Sequence, residues 1–481
     1  MGLPRLLGSL AALLAAVPVG EELPADLDAR CTFELVRSPE TFVRVRIETR
    51  GAREGKTSFS IAERWGGVER FEEGIRALGI REAGGKGLPV EQPTSNRWSV
   101  RHAPGAPLEV AYEIAPTGER IGRERESRYR PAVLPDLFHL VGTTGLVVPQ
   151  PLEGEEPRSI EIRWLGFAEA GWKVATSFGA GTEPRRIRRP LRDFVHGLYV
   201  AGDLRVFPVP LRGGALTVAI AGEDWGFADD LFVDLVRRIV VAERDFFDDH
   251  GDPHFLVSLV PVGERNPQSR SFGGTGLTDS FALFLLPGTG IEEEPGTGRG
   301  LRWLLAHELF HHWNGQEMPR VEPEALVYWF SEGFTDFYAR RLLLRARLIT
   351  LEEYAADLSE RAGAYLASPV RNEPNDRILR DYWKDERVER LPYHRGDVVA
   401  LLLDAAIRKA SEGARGLDEF MRDLLARGRR GERVGTEGLL ALAESYAGKE
   451  FAERLRRIVV EGETAAIPAD LLEPCLEAET V

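Results

Sequence analysis

Two histidines four residues apart, inside an apolar stretch, constrain this chain more than any other feature of its sequence. His307 and His311 lie in the run from Leu301 to Trp313, whose composition predicts a buried helix. Residues four apart on a helix share one face, with Cβ atoms about 5–6 Å apart, so the two imidazoles can bind one metal ion. Glu308 would then lie beside the metal, where it can take a proton from a bound water. His-Glu-x-x-His is the pattern of a zinc hydrolase, although a bare match of this length also arises as a structural pair.

A candidate third ligand follows at Glu332. A catalytic zinc usually takes three protein ligands and leaves a fourth position open. Gly315 and two prolines interrupt the apolar pattern after His311. The chain can therefore reverse and return a second helix, predicted from about residue 325 to 348, toward the histidines. Glu332 stands there among large apolar residues, where a carboxylate is rarely buried without a partner. The alternative is a carboxylate on a helix surface.

Two more residues are candidates for supporting roles. Asp336 lies one helical turn after Glu332, and metal-bound histidines usually donate their second N–H to a carboxylate or a carbonyl. A surface aspartate is the equal alternative. Tyr393 precedes an apolar helix predicted from Asp397 to Ile407. Its O–H could stabilise the oxyanion that forms when a carbonyl is attacked, but on the sequence alone it is more simply an aromatic residue in a loop.

Together these motifs resemble the glycyl aminopeptidase family of gluzincin metallopeptidases and, more distantly, aminopeptidase N. The resemblance rests on three segments: His307-Glu308-Leu309-Phe310-His311, Trp329-Phe330-Ser331-Glu332-Gly333-Phe334-Thr335 and Tyr393-His394-Arg395-Gly396. It spans about residues 30 to 468, and it implies that His307, His311 and Glu332 bind one zinc ion per chain. It further implies that Glu308 is the general base and that Tyr393 stabilises the transition state. In aminopeptidase N the last motif carries Lys where this chain has Arg395. Many family members continue into a PDZ domain, and none is expected in this sequence, which ends at Val481.

One departure concerns the glycine-rich strand that these exopeptidases place beside the zinc. In the glycyl family it reads Gly-Gly-Leu-Glu-His, and its Glu is expected to hold the free amino group of the substrate. The matching stretch here begins at Gly273 and Gly274 and contains no Glu, since Gly276 or Thr278 stands at that position. The glycines can still form an edge strand that pairs with a peptide backbone, and Asp279 is a candidate to replace the missing charge.

The motifs therefore predict a zinc-dependent metallopeptidase, with aminopeptidase activity favoured. Two enzymatic alternatives follow from the missing Glu: an endopeptidase, and an exopeptidase that anchors its substrate differently. A non-catalytic peptide-binding protein that keeps a zinc ion is the third alternative.

The pattern along the chain predicts a multidomain α+β protein. Short alternating runs in residues 21–170, separated by turns, indicate an all-β domain of sandwich type. Residues 171–345 combine strands, a helix predicted from Asp224 to His250 and the helix with the histidines. The resemblance implies a thermolysin-like α/β catalytic domain there. Residues 346–481 are helical in pattern almost throughout and predict a carboxyl-terminal helical domain.

The amino terminus and the cysteines bear on the compartment. One arginine is followed by about 14 apolar residues, Leu6 to Val19, which fits a secretory signal better than a membrane span of about 20 residues. Residues 1–20 are therefore predicted to be a signal peptide, and the protein is expected to be secreted or periplasmic, with an uncleaved anchor as the alternative. Cys31 and Cys475, the two cysteines, can pair in an oxidising compartment or remain free.

Charge excludes one class of partner. The net charge is −14, and no block rich in Lys and Arg stands out, so nucleic acid is not expected to bind. The expected partner is a peptide or protein substrate. Beyond the amino-terminal segment no stretch is apolar enough to insert stably into a membrane, and the sequence does not indicate an oligomeric state.

Overall fold

The computed structural model describes residues 23–251, 254–266, 272–291, 300–468 and 471. Its strands are β1 (Ala29–Val36), β2 (Phe42–Arg50), β3 (Lys56–Ser60), β4 (Arg64–Trp65), β5 (Val68–Glu69), β6 (Ile75–Glu82), β7 (Glu91–Thr94), β8 (Arg97–Arg101), β9 (Pro107–Ile114), β10 (Ala132–Val133), β11 (Leu137–Val141), β12 (Val148–Pro149), β13 (Arg158–Leu165), β14 (Lys173–Thr176), β15 (Gly179–Ala180), β16 (Arg185–Arg189), β17 (Leu198–Gly202), β18 (Leu204–Leu211), β19 (Gly214–Ala221), β20 (His254–Pro261), β21 (Phe272–Leu277) and β22 (Ser280–Leu285). Its α-helices are α1 (Arg125–Tyr129), α2 (Leu191–Val195), α3 (Asp229–Phe247), α4 (Leu301–Phe310), α5 (Tyr328–Ser331), α6 (Gly333–Arg345), α7 (Leu351–Ala367), α8 (Asn375–Asp381), α9 (Glu386–Ala410), α10 (Leu417–Arg429), α11 (Thr436–Ala447) and α12 (Lys449–Arg456).

Two predictions fall outside these described residues. One is the signal peptide at residues 1–20, and the other is the pairing of Cys31, which is buried on β1, with Cys475. Both stay predictions. Among the described helices, none combines the length and the apolar character needed to cross a membrane.

The described residues form two compact units. The first comprises residues up to 119 together with 125–174 and 181–202, and the second comprises 120–124, 175–180 and the residues from 203 onward. The first unit continues past residue 170, where the sequence places a boundary, because β16 pairs with β13 and β17 pairs with β11. The predicted boundary at residue 345 stays a prediction.

The first unit is built mainly from β-sheets. One six-stranded sheet has the order β16-β13-β1-β2-β9-β6, antiparallel except for the parallel pair of β1 and β13. A four-stranded sheet has the order β12-β3-β8-β7. Buried and partly exposed residues alternate along β2, so one face of the strand lies on the core. Aromatic rings fill that core, with Phe33 stacked on Trp164 at a centroid distance of 4.6 Å. The predicted β-rich amino-terminal domain is confirmed.

The second unit carries a five-stranded mixed sheet of order β18-β19-β20-β22-β21. The central strands β19, β20 and β22 are parallel, and β18 and β21 are antiparallel to their neighbours. Helices α3 and α4 share an apolar core with this sheet, which includes Val236 of α3, Leu305 of α4 and Phe281 of β22. The edge strand β21 lies against α4, and this contact brings the glycine-rich strand to the helix with the histidines.

Helices from α5 onward, together with parts of α3 and α4, share another large apolar core. The long helix α9 packs against α5, α6, α7, α8 and α11. It begins at Glu386, well before the predicted start at Asp397, and it includes Pro392 and Tyr393. The prediction that Tyr393 lies in a loop is therefore wrong. A proline inside a helix costs one backbone hydrogen bond, and the burial of Leu391 and Pro392 on the packed face offsets that cost. The helical carboxyl-terminal region and the multidomain α+β class are confirmed.

Candidate metal centre

Three side chains from two helical segments converge in the second unit. His307 lies on α4, His311 directly follows α4, and Glu332 stands between α5 and α6. The Nε2 atoms of the two histidines are 3.1 Å apart. Oε2 of Glu332 lies 3.5 Å from Nε2 of His307 and 3.4 Å from Nε2 of His311. In the part of the chain that the structure describes, these three residues are the one group of His, Cys, Asp and Glu side chains arranged to hold a metal ion.

The spacing of the three donor atoms fits a tetrahedral metal ion. Zinc binds histidine nitrogen and carboxylate oxygen at about 2.0–2.2 Å, and tetrahedral donors at that radius stand about 3.3 Å apart. The three separations of 3.1, 3.4 and 3.5 Å lie around this value. Two imidazoles and one carboxylate are also a donor set of catalytic zinc, which leaves a fourth position open. The residues present therefore fit zinc.

Hydrogen bonds at Nδ1 fix the orientation of both imidazole rings. Nδ1 of His307 lies 2.7 Å from Oδ1 of Asp336, and Nδ1 of His311 lies 3.1 Å from the carbonyl oxygen of Asn314. A carboxylate and a carbonyl only accept hydrogen bonds, so each Nδ1 carries the proton and each Nε2 presents a lone pair. Two lone pairs at 3.1 Å repel each other, so this spacing requires a metal ion or a proton between the two nitrogens.

Asp336 is itself held by a residue that sequence reasoning missed. Asp336 is fully buried, and its second carboxylate oxygen accepts a hydrogen bond from Arg361 of α7. The Arg361 guanidinium also lies over the ring of Trp303, 4.9 Å from its centroid. A charge buried in this way must be paired. One signal was available: Arg361 lies three residues after Leu358 and four before Tyr365, on the buried face of α7.

The charges of the site favour a cation at its centre. Burial would lower the pKa of His307, but its hydrogen bonds with Asp336 and Glu332 raise that pKa to about 10. Burial would raise the pKa of Glu332, but the two imidazoles hold it well below its usual range. Burial raises the pKa of Glu308, and the imidazoles oppose the shift. A raised pKa makes this carboxylate a stronger base toward the proton of a water molecule.

The turn after α4 is tied to the segment that carries Glu332. The Asn314 side chain donates to the carbonyl oxygen of Ser331 at 3.2 Å and to Oγ1 of Thr335 at 3.1 Å. Because the carbonyl oxygen of the same Asn314 accepts from His311, one buried residue connects two of the three donor groups. Sequence reasoning assigned it no role, and only its position three residues after His311 marked it.

Tyr393 approaches the centre because two glycines let helices touch. Its ring lies 6.0 Å from that of His307, at an interplanar angle of 22°. A Cβ added at Gly396 would lie 1.8 Å from the carbonyl oxygen of Trp329, and one added at Gly333 would lie 2.3 Å from Cα of Gly396. The backbone of α9 therefore contacts the backbone of α5 and α6, and this contact brings the helix that carries Tyr393 to the segment that carries Glu332.

The glycine-rich strand β21 is an edge strand, as the sequence predicts. It contacts the segment that carries the histidines at Gly276, where the strand has no side chain. A Cβ added at Gly276 would lie 3.5 Å from the carbonyl oxygen of Glu308 and 3.7 Å from Cβ of His311. The strand position in contact with Glu308 and His311 thus lacks a carboxylate.

The remaining predicted substrate-binding residues lie elsewhere on the same hairpin. Gly273 and Gly274 pair with Phe284 and Leu283 of β22. Asp279 occupies the turn between β21 and β22 with a positive φ of 45°, and it is not part of the converging donor group. A substrate-binding role for these three residues stays a prediction.

Comparisons with known proteins agree with this site. Residues 300–378 match the family model of the M61 glycyl aminopeptidases. A search of curated proteins gives no match. Among solved structures, an aminopeptidase N family protein from Idiomarina loihiensis shares 17% identity at a TM-score of 0.74, over 92% of this chain and 77% of that chain. An M1 zinc metallopeptidase from Deinococcus radiodurans shares 20% identity at a TM-score of 0.56, over 92% of this chain and 95% of that chain. A mutant of the Deinococcus protein has been crystallised with a Tyr-Ser-Ala substrate.

At these identities the likeness to solved structures is one of fold. The family match, in contrast, covers the segment that holds all three donor residues and Asp336. The predicted resemblance is thereby confirmed. The metal-binding segment is of the M61 glycyl aminopeptidase type, and the fold is shared with aminopeptidase N and other M1 zinc metallopeptidases. The enzyme class is zinc metallopeptidase.

Proposed function

We propose that this protein is a zinc-dependent aminopeptidase. The observation that carries the proposal is the triangle of donor atoms from His307, His311 and Glu332, with both histidines aimed by hydrogen bonds at their Nδ1 atoms. Glu308 lies between the two histidines in sequence and is partly exposed, which a purely structural metal site does not require.

In the proposed reaction, His307, His311 and Glu332 hold the metal. A zinc ion held by these three residues would lower the pKa of its bound water and would polarise the carbonyl of the peptide bond. Glu308 takes the proton of the attacking water and delivers it to the leaving amine. The Tyr393 hydroxyl donates a hydrogen bond to the oxyanion that forms at the carbonyl. Asp336 keeps the proton of His307 on Nδ1 and so keeps Nε2 available.

Replacing Glu308 by Gln tests this reading, because Gln keeps the size of the side chain but cannot accept a proton. We expect parent and variant to bind about one zinc per chain. We expect turnover of peptides to fall by a factor of about 10²–10⁴ in the variant. Glu360→Gln, at an exposed position of α7, is the matched control and should retain the parental rate. Equal turnover in all three proteins would refute the role of Glu308. Zinc in all three without activity in any would favour a binding protein.

Aminopeptidase specificity is supported by the M61 family match and by the aminopeptidase N fold. One observation favours an endopeptidase as the second candidate, since Phe272–Leu277 of β21 contains no carboxylate to hold a substrate amine. Cleavage of one peptide with a free and with an acetylated amino terminus separates the two. We expect the acetylated peptide to be cleaved far more slowly, and equal rates would rule out the aminopeptidase.

We also propose a secreted or periplasmic location. The support is the apolar segment from Leu6 to Val19, which follows a single arginine. Fractionation of cells with sequencing of the mature amino terminus is the test. A cytoplasmic protein that begins at Met1 would contradict the proposal.

A further inference from the structure

The hydroxyl of Tyr393 has a neighbour to which sequence reasoning gave no role. Oη of Tyr382 lies 3.4 Å from Oη of Tyr393. Within the described part of the chain, no other hydrogen-bond partner of the Tyr393 hydroxyl is found. Tyr382 directly follows α8 and is 6% exposed, whereas Tyr393 is only partly buried. The buried phenol of Tyr382 thus contacts the phenol of Tyr393, whose ring lies beside that of His307.

Tyr382 is fixed by contacts of its own. Its ring packs against Tyr328 at a centroid distance of 4.8 Å and against Trp383 at 4.8 Å. Its backbone N–H donates to the carbonyl oxygen of Ile378 at 3.0 Å. The ring and backbone of Tyr382 are therefore held by contacts other than the one with Tyr393.

A second contact ties α8 to α9. Arg395, two residues after Tyr393, is fully buried and donates to the carbonyl oxygens of Arg371, at 2.9 Å, and of Glu373. Both acceptors lie just before α8. Because α8 is held to α9 at this end and meets it again at the two phenols, the distance between the phenols is set by the surrounding packing.

The proton arrangement decides what the pair can do. A phenol carries one hydrogen and can also accept a hydrogen bond. A Tyr393 hydroxyl that donates to an oxyanion must turn its hydrogen toward the substrate, and a preorganised donor needs no reorganisation during the reaction. If Tyr382 donates to the oxygen of Tyr393, the hydrogen of Tyr393 is left free to point into the site.

We propose that Tyr382 is a positioning residue that donates a hydrogen bond to Tyr393 and so orients the Tyr393 hydroxyl toward the oxyanion. This inference rests on the proposed function. It differs from a packing role, because a packing role needs the ring of Tyr382 but has no need of its hydroxyl.

A double-mutant cycle on the zinc-loaded full chain tests it. The variants are Tyr382→Phe, Tyr393→Phe and the double variant, each assayed on the peptide that the parent cleaves fastest. Loss of an oxyanion donor lowers kcat by about 10²–10³, which we expect for Tyr393→Phe. Loss of one supporting hydrogen bond is expected to lower kcat about 5- to 10-fold in Tyr382→Phe, with KM and zinc content unchanged. The double variant should be no slower than Tyr393→Phe, because Tyr382 acts only through Tyr393.

Tyr328→Phe is the matched control. It removes a phenol hydroxyl from the ring that packs on Tyr382, and that hydroxyl makes no described hydrogen bond to Tyr393. It should keep the parental kcat.

Three kinetic outcomes overturn the inference. A parental kcat for Tyr382→Phe beside a slow Tyr393→Phe would refute the role of Tyr382 and leave the proposed function intact. Effects of the two changes that multiply in the double variant would show that Tyr382 acts independently. A parental kcat for Tyr393→Phe would refute the oxyanion role of Tyr393, and with it this inference.

A binding measurement covers the case in which turnover is limited by another step. A phosphonate analogue of a dipeptide places an anionic oxygen where the oxyanion forms. We expect Tyr382→Phe to weaken its binding by the same factor as kcat/KM. Unchanged binding of the phosphonate would overturn the proposal.

Discussion

Gly396→Ala is the substitution whose effect follows most directly from the fold. The added Cβ would lie 1.8 Å from the carbonyl oxygen of Trp329, whereas real Cβ atoms keep at least 3.0 Å. The neighbouring atom is backbone, so no side chain can rotate away. The backbones of α9 and α5 must therefore part by about 1.2 Å. Overpacking of this kind costs about 1–3 kcal/mol, and sometimes more.

Gly363→Ala supplies the reference for this change. Gly363 is an exposed residue of α7, and a Cβ added there meets nothing within 4 Å. In a helix interior Ala is favoured over Gly by about 0.5–1 kcal/mol. Because this preference applies at both positions, the free energy of unfolding of Gly396→Ala should be lower than that of Gly363→Ala by the overpacking cost, a gap of about 1–3 kcal/mol.

Urea unfolding followed by circular dichroism measures this gap, and peptidase assays measure its effect on the site. A displacement of about 1 Å at reacting groups can lower turnover about 10²-fold. Because Tyr393 moves with Gly396, we expect a loss of this order in any Gly396→Ala protein that remains folded. If Gly396→Ala were as stable and as active as Gly363→Ala, helix contact at the glycines would not be what positions Tyr393.

Two further predictions concern buried titratable groups. Asp336→Asn removes the carboxylate that holds His307, and we expect about a 10- to 100-fold loss of zinc affinity in chelator competition. The control is Asp357→Asn, because Asp357 contacts Arg361 but neither histidine, and this variant should keep the parental affinity. Equal zinc affinities of the two variants would contradict the positioning role of Asp336. Burial lowers the pKa of His139 on β11 to about 4, so the unfolded chain binds a proton that the folded chain rejects between pH about 6.5 and 4. The free energy of unfolding should therefore fall by about 3 kcal/mol as the pH is lowered through this window. His139→Leu should flatten the slope in urea titrations, and a slope that persists in that variant would assign it to another group.

Local periodicity accounts for the parts of the fold that were predicted. Alternation along β2 predicts its buried face, and the spacing of Phe232, Leu235, Val236 and Ile239 predicts α3. Both patterns arise because each element turns one face to a core. Pro392 shows where local reasoning fails. It signals a break in the sequence, but the packed face of α9 continues through it, because tertiary burial outweighs the loss of one helical hydrogen bond.

For the site, the sequence by itself determined the chemistry of the donors. The period of the helix places His307 and His311 on one face. Glu308, between them in sequence, supplies the carboxylate that can act as the base. Only the tertiary structure decided that Glu332 returns to within 3.5 Å of both imidazoles, that Arg361 supports Asp336, and that Tyr382 meets Tyr393. These contacts join residues far apart in the chain, through helix crossings such as the one at Gly396. Local patterns state which face of a helix is buried, but the partner across that face is chosen by packing.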